Sequence, residues 1–473
     1  MKRSCLAART SRVAQRRLAV VMVVTALGAF SFFPPASGVA TSFTSAGSAR
    51  SARTVVAPHS PVGKQLEWLL GISSLLPLSA KEESAHFDAT FVNEEPVNKL
   101  NQAFDSLGST GSTITLLSLS SVTSNSLKAV VKIGLIKYAV QLSVDTKGLI
   151  AGLFFSLAAP IPIPKVSSWS QVNTDLKSAA PDVSFLAAQL DAHGTCSDVH
   201  QVDGDTPRPL GSMFKLFILG ALANAIKNHT VRWNQKLTLT DAIKVPGSGV
   251  VQDDPAGTVL SVEQTAIDMI SVSDNTAADM LLQLVGRSAV EAQVRTWSAH
   301  ADLDVPFLSA AEFFVLKWHD FPTLANHYLS LNATQRAAYL TTSVDTISDA
   351  AISSSTTPRD VNSIEWFASP QDICHAFSGL SALETEQDLS PLNTILDTNN
   401  GGIALSANTW SRVWFKGGSE PGVLTLGYLA RDNAGKTFVV VVMLENPSKP
   451  IASSTTLLGL GVVTGALNLL HRG

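Results

Sequence analysis

Ser212 and Lys215 stand three residues apart in PLGSMFKLFILGALANAI (209–226), a run that is otherwise apolar or small. In a helix, residues i and i+3 share a face, so a hydroxyl and an amine at this spacing can meet. An apolar setting disfavours the ammonium form and lowers a lysine pKa, by ~3–5 units in fully buried cases. A neutral amine can take the serine proton, which makes the hydroxyl a nucleophile without a histidine. The bland alternative is a lysine whose stem lies on a half-buried face and whose head reaches water. The pair alone leaves both readings open.

Two further segments carry polar residues at places where chemistry is conceivable. SVSDNTAADMLLQLVG begins at residue 271 and contains Ser273-Asp274-Asn275. VWFKGGSEPGVLTLGYL contains Lys416-Gly417-Gly418 followed by Ser419, at the head of a strong strand pattern. Each has a structural reading. Ser, Asp and Asn are residues that cap helices, and an apolar helical run follows them. Lys-Gly-Gly is compatible with an ordinary turn into an edge strand.

The elements that must position these residues follow from the whole chain. It has 473 residues, 45% hydrophobic, with a formal net charge of −4, enough for a large core and two or three domains. That balance gives no electrostatic footprint for nucleic acid. Residues 1–40 read as a signal peptide. Six basic residues and no acid are followed by the apolar run LAVVMVVTALGAFSFF and the small-residue stretch PPASGVA. Cleavage after Gly38 or Ala40 is expected, which leaves no stable membrane span; an uncleaved anchor is the alternative. Arg16-Arg17 hints at a twin-arginine route, and no cysteine marks a lipid anchor. The protein is therefore expected to be secreted or held in the cell envelope. Cys196 and Cys374 remain in the mature chain. They are read as two buried or free thiols, with one disulfide as the alternative, since sequence separation does not give distance.

Residues 41–79 read as a flexible tether carrying a short helix at QLEWLLGISSLLPLS. Residues 80–164 read as a small α+β domain. A helical stretch interrupted at Pro96 precedes four strand-like segments, STITLLSLSS, LKAVVKIGLI, KYAVQLSVD and LIAGLFFSLA, with a turn at VDTKG. His86 and its neighbouring acids read as surface or capping groups. PIPIPK (160–165) is a stiff connector. Residues 168–473 read as one α+β domain with strands at both ends and helices between, so that the sheet joins the two termini. The polar stretch 346–363 reads as a loop or flap.

Taken together and in this order, Ser212-x-x-Lys215, Ser273-Asp274-Asn275 and Lys416-Gly417-Gly418 match a known set of three motifs. Over most of residues 180–470 the chain resembles the class A β-lactamase and penicillin-binding serine hydrolase superfamily. The 61-residue spacing from Ser212 to Ser273 is close to that family's. SGVVQDDPAGTVLSVEQTAIDMISVSDNTAADMLLQLVG resembles its all-helical region. The layout also resembles an actinobacterial two-domain group that includes the accessory hydrolase of clavulanic acid biosynthesis and mycobacterial cell-envelope relatives. HFDATF, IAGLFF and WFKGGSEPGVLTL carry that likeness. In that group the first domain resembles steroid isomerase and nuclear transport factor folds.

The resemblance implies an antiparallel sheet flanked by helices, no cofactor and no metal. It implies that Ser212 attacks a carbonyl, that Lys215 is its base and that Ser273 relays a proton to the leaving group. Asn275 would hold Lys215 and the substrate. Lys416 would supply positive potential and orient a substrate carboxylate. Gly418 and Ser419 would line the substrate strand, the N–H groups of Ser212 and Ser419 forming an oxyanion hole.

Two departures stand out. The family has a hydroxyl residue where this chain has Gly417, and a hydrogen bond to a substrate carboxylate is lost. The family's Glu-x-x-Leu-Asn deacylation motif is not found after Ser273. Glu312 is near its expected position, but Ser309-x-x-Glu312 before an apolar run has the form of a capping box, and that role is preferred. No Gly-x-Ser-x-Gly, His-Glu-x-x-His or Cys-x-x-Cys is present, and the ten histidines do not have metal-ligand spacing. The expectation is an exported hydrolase of β-lactam, amide or ester carbonyls, with a small-molecule partner and slow β-lactam turnover. A binding protein for β-lactam or peptidoglycan-like ligands, non-catalytic or trapped as an acyl adduct, is the second reading. The sequence does not give the physiological substrate or the oligomeric state.

Overall fold

The computed structural model describes residues 55–94, 97–107, 113–134, 136–158, 163–347 and 356–473. The signal peptide, residues 41–54 of the expected tether and residues 348–355 of the expected flap lie outside the described residues. Those residues fall into two compact units, 55–158 and 163–473.

The first unit opens with four helices, α1 (Pro61–Gly71), α2 (Ala80–His86), α3 (Ala89–Glu94) and α4 (Val97–Ser106). Four strands follow, β1 (Ile114–Ser120), β2 (Ser126–Ile133), β3 (Ile136–Val144) and β4 (Ile150–Leu157), in an antiparallel sheet of order β1-β2-β3-β4. β2 and β3 alternate buried and outward positions, as a sheet with one covered face requires. Ser79 and Glu82 form a capping box at the start of α2, so one of the acids near His86 has the capping role expected of it.

The second unit opens with α5 (Trp169–Ala179), β5 (Asp182–Leu190), β6 (Cys196–Val202), a short β7 (Arg208–Pro209) and α6 (Lys215–Lys227). Next come β8 (Lys236–Thr238), β9 (Val259–Ser261), α7 (Val262–Ser271), α8 (Asn275–Val285) and α9 (Arg287–Trp297). Then follow α10 (Ala310–Trp318), α11 (Thr323–Ser330), α12 (Ala333–Thr342), β10 (Phe367–Ala368), α13 (Pro370–Glu384) and α14 (Pro391–Asp397). The chain ends in β11 (Trp410–Glu420), β12 (Val423–Asp432), β13 (Thr437–Glu445) and α15 (Ser453–Arg472). The main sheet is antiparallel, of order β11-β12-β13-β5-β6, so the two ends of this unit pair at β13 and β5.

The sheet is covered on both faces, and β13 reads accordingly as the unbroken apolar run FVVVVML. Phe438, Val440 and Val442 pack with Val172 and Leu176 of α5 and Val463 and Leu467 of α15. Val439, Val441 and Met443 point to the opposite face, into the core shared with α6 and α13. α15 is apolar and long enough to cross a membrane by length and composition, yet it buries Leu460, Val463 and Leu467 in this sheet core. α6 is buried on nearly all sides and forms the centre of the helical region.

Three expectations are corrected. Residues 248–261 are not helical: they hold turns, one short 3-10 turn and β9, because glycines and Asp253-Asp254-Pro255 interrupt any helical period. Lys416-Gly417-Gly418 is not a turn before a strand but the inside of β11, a full edge strand that joins β12 through Pro421-Gly422. Cys196 and Cys374 are not free thiols. β6 and α13 bring their Cα atoms to 6.3 Å and the sulfurs are bonded.

That bond ties strand to helix across 178 residues of chain. A loop of this length removes much denatured-state entropy, and losing such a bond costs typically about 2–5 kcal/mol. Cys374→Ser is expected to lower the urea midpoint accordingly. A midpoint equal to wild type under oxidising conditions would show that the bond does not form.

Candidate active site

Ser212 lies in a 3-10 turn, Gly211–Phe214, that leads directly into α6. Side chains at i and i+3 eclipse in this geometry, and Lys215 Nζ lies 3.1 Å from Ser212 Oγ. The turn needs glycine at 211, whose φ is +50°; a Cβ there would lie 2.7 Å from Ser419 N. Gly418 is fitted as tightly from the other side, since a Cβ on it would lie 2.1 Å from Leu210 O and 2.5 Å from Ser212 N. β11 is the edge of its sheet, and the two glycines let its backbone close on the serine turn. That contact brings the backbones of Ser212 and Ser419 together. Thr425 of β12 fastens it, donating to Leu210 O at 2.7 Å and to Gly418 O at 3.3 Å.

Ser273 sits between α7 and α8 with φ +59°, an uncommon conformation for a residue with a side chain. Asp274 is the N-cap of α8, accepting from Ala277 N at 2.8 Å, and it also accepts from Val250 N and Val251 N. The capping role and the chemical role of this triplet are therefore divided among its residues. Asp274 fixes the helix and the 245–251 loop, while Ser273 and Asn275 face Lys215. Lys215 Nζ donates to Asn275 Oδ1 at 2.8 Å, to Ser273 O, and reaches Ser273 Oγ at 3.3 Å. Asn275 Nδ2 donates to Pro246 O at 3.1 Å, which fixes the amide's orientation. Lys416 Nζ lies 3.0 Å from Ser273 Oγ and 2.7 Å from Gly417 O. The Ser273 hydroxyl thus stands between two amines.

Both amines are withdrawn from water, Lys215 fully and Lys416 to 2% exposure. Burial lowers Lys215 to about 7, opposed by the charges of Asp274 and Asp279. Burial, and then repulsion from Lys215, holds Lys416 well below the ordinary lysine value. Near neutral pH Lys215 is therefore poised between amine and ammonium, as a proton acceptor for a serine hydroxyl must be.

The sequence-predicted residues Ser212, Lys215, Ser273, Asn275, Lys416, Gly418 and Ser419 converge on this one place. Glu312 serves otherwise. Its carboxylate caps α10 through Ser309 N at 2.7 Å and pairs with Arg287 at 2.6 Å and 3.1 Å. The sequence reading missed Glu365, which lines the same cavity as Ser212 and whose Oε2 accepts from Gly211 N at 3.2 Å and Trp366 N at 2.9 Å. β10 pairs with β7 and so lays this segment beside the serine turn. Glu420, next to Ser419, also lines the cavity and pairs with Lys317. No group of three or more His, Cys, Asp or Glu suited to a metal ion is present among the described residues.

Residues 168–460 match the model of the beta-lactamase enzyme family, and residues 57–150 match a model described as the ORF 12 gene product N-terminal region. Among curated proteins, the β-lactamase VEB-1 of Pseudomonas aeruginosa is 31% identical over 91 residues; the match spans 19% of this chain and 30% of that protein. Among solved structures, a β-lactamase from Sphaerobacter thermophilus is 21% identical with a TM-score of 0.45, over 64% of this chain and 97% of that one. The structure of PBP-A is 14% identical with a TM-score of 0.42, over 65% and 98%.

Two outcomes follow from the geometry. The rate at which a fluorophosphonate labels Ser212 is expected to rise with pH, fall about tenfold per unit below a midpoint near 7 and level off above it. The sign follows from the lowered lysine pKa, because the free amine predominates above it. A profile that rises only near pH 10 would show that Lys215 stays charged. Glu312→Gln is expected to cost about 3 kcal/mol in urea unfolding, since it leaves Arg287 without its buried partner. The labelling rate at Ser212 and the lifetime of any acyl adduct should not change; a longer-lived adduct would instead make Glu312 a deacylation base.

Proposed function

The chain belongs to the beta-lactamase enzyme family, and we propose that it is an exported serine hydrolase that acts on ester, amide or β-lactam carbonyls through an acyl-Ser212 intermediate. The observation that carries this reading is the buried amine of Lys215 held among Ser212 Oγ, Ser273 Oγ and Asn275 Oδ1. Ser212 Oγ attacks the carbonyl carbon as its proton passes to Lys215 Nζ. The developing oxyanion is taken by the N–H groups of Ser212 and Ser419, each such donor typically worth ~10²–10³ in rate. The proton then moves from Lys215 through the Ser273 hydroxyl to the leaving oxygen or nitrogen, and the carbon–leaving-group bond breaks. Lys416 donates to Ser273 Oγ and sets the direction of that relay.

Release of the acyl group needs a water and a base. Glu312 is committed to its cap and to Arg287. That commitment supports slow release of β-lactams, with acylation outrunning hydrolysis. The second reading, a protein that is acylated and then retains its ligand, is the limit of the same chemistry. The match of residues 57–150 supports a two-unit chain of the kind the sequence resembles. The Cys196–Cys374 bond supports export to an oxidising compartment.

Intact mass after mixing with a penicillin and, separately, a cephalosporin tests this reading. An adduct that maps to Ser212, persists for minutes and is absent in Ser212→Ala is expected. Rapid turnover without an adduct would overturn slow release. Neither adduct nor hydrolysis of small esters would overturn the enzyme reading.

A further inference from the structure

The cavity beside Ser212 has a lining that nucleophilic chemistry alone does not require. Its volume is about 250 Å³, below the roughly 300–1,000 Å³ of sites for drug-sized ligands. Phe214, Phe313, Phe314, Trp318 and Trp366 form its walls. Phe214 stacks on Trp366 with centroids 3.7 Å apart, and Phe314 stacks on Trp318 at 4.5 Å, so the walls are braced. Such surfaces favour an apolar ring.

The charged groups of the lining, among the described residues, are all acidic: Glu365 and Glu420. The neighbouring cations are engaged. Lys317, fully buried behind the lining, reaches both Glu420 oxygens at 2.6 Å and 2.8 Å. Lys416 donates to Ser273 and Gly417, and Lys215 to Ser212, Ser273 and Asn275. Glu365 Oε2 takes two backbone N–H groups, whereas Oε1 is buried without a backbone, hydroxyl or amine donor. Burial, and then the charge of Glu420, raises Glu365 well above the ordinary carboxylate range and so favours its neutral acid. Glu420 is balanced by Lys317. A substrate carboxylate entering here would meet two acids and no uncommitted cation of the lining.

We propose that this cavity takes the uncharged, ring-sized apolar portion of an acyl group, and that it excludes a carboxylate on that portion because Glu420 keeps Lys317 engaged and Glu365 offers no cation; a carboxylate elsewhere in the acyl group, as in a penicillin, stays outside the cavity. The proposal rests on the reading of Ser212 as nucleophile and narrows its substrate class. Gly417 agrees with it, since the side chain there offers no hydroxyl to a substrate carboxylate. Selectivity arises by leaving the charge of the wrong ligand unpaired as much as by fitting the right one.

The test compares 4-nitrophenyl esters of 4-carbamoylphenylacetic acid and 4-carboxyphenylacetic acid, which differ in charge and hardly in shape. The full mature chain is expected to show a kcat/KM for the carbamoyl ester higher by on the order of 100-fold, since a carboxylate taken out of water without a partner costs several kcal/mol. Glu420→Gln removes one acid and leaves Lys317 uncompensated, and should narrow that ratio by about tenfold or more. Where this variant does not fold, judged by thermal melting, Glu365→Gln is read in its place. Equal rates for the two esters, or an unchanged ratio in a folded variant, would overturn the proposal. Failure of the nucleophile reading is seen separately, as no hydrolysis of either ester and no fluorophosphonate label on Ser212. In that case calorimetric titration with 4-carbamoylphenylacetamide and 4-carboxyphenylacetamide still decides: preference for the neutral amide upholds the selectivity, and equal binding overturns it.

Discussion

Lys215 is an amine held wholly out of water, and the site depends on its having neutral acceptors as close partners. Ser212 Oγ, Ser273 O, Ser273 Oγ and Asn275 Oδ1 present dipoles, which satisfy N–H donors without fixing the charge. A carboxylate at the place of Asn275 Oδ1 would form a buried ion pair and keep the amine protonated. The two acids whose charge acts on Lys215 are engaged elsewhere. Asp274 takes the N–H groups of Val250, Val251 and Ala277, and Asp279 those of Ala310 and Ala311. Their charges still oppose the effect of burial, and the result for Lys215 is about 7 rather than a fully suppressed base.

Such a cage has value only if the carbonyl to be attacked can be presented at the serine, and this is a matter of backbone approach. β11 reaches the serine turn because it is an edge strand, with no further strand beyond it among the described residues, and because Gly211 and Gly418 lack side chains. An exposed edge is ordinarily a liability. Here part of it is covered by the turn that carries Ser212. The same approach explains why Thr425, buried and one strand inward, spends its hydroxyl on Leu210 O and Gly418 O. It ties the two backbones that must keep their spacing.

The local pattern revealed much of this fold. The strands β1–β4, the pairing of the second unit's two ends and the apolar run of α6 follow from periodicity and turn residues, and the capping box at Ser309 from three residues of spacing. The three motifs were legible because each is short and its chemistry is strict. Contacts set by long-range packing were not. Lys317 and Glu420 are 103 residues apart and Cys196 and Cys374 are 178 apart, and nothing local in either pair names its partner. Glu365 was missed for a related reason. A lone glutamate in SIEWFAS has no signature, and only the β7–β10 pairing puts it beside Gly211. The 248–261 stretch misled because the runs of α7 and α8 that follow it are helical while its own residues are turn formers.

The deacylation question raised by the sequence has a physical form in the structure. A buried carboxyl near a serine serves as a base only if it is ionised and uncommitted. Glu312 is bound by Arg287 and by its helix cap. Asp279 caps α10 with both oxygens, and burial pushes it up to about 7. Glu365, at the cavity itself, is raised well above the ordinary range by burial and then by the charge of Glu420. The three acids are each held by backbone donors, Glu312 by a guanidinium as well, and burial pushes Asp279 and Glu365 toward the neutral form. The devices that hold the serine turn, the α10 helix and the cavity wall in place therefore consume the carboxylates that fast release of an acyl group would require. On the proposed reading of Ser212 as nucleophile, a site organised in this way would favour forming the acyl-enzyme over clearing it.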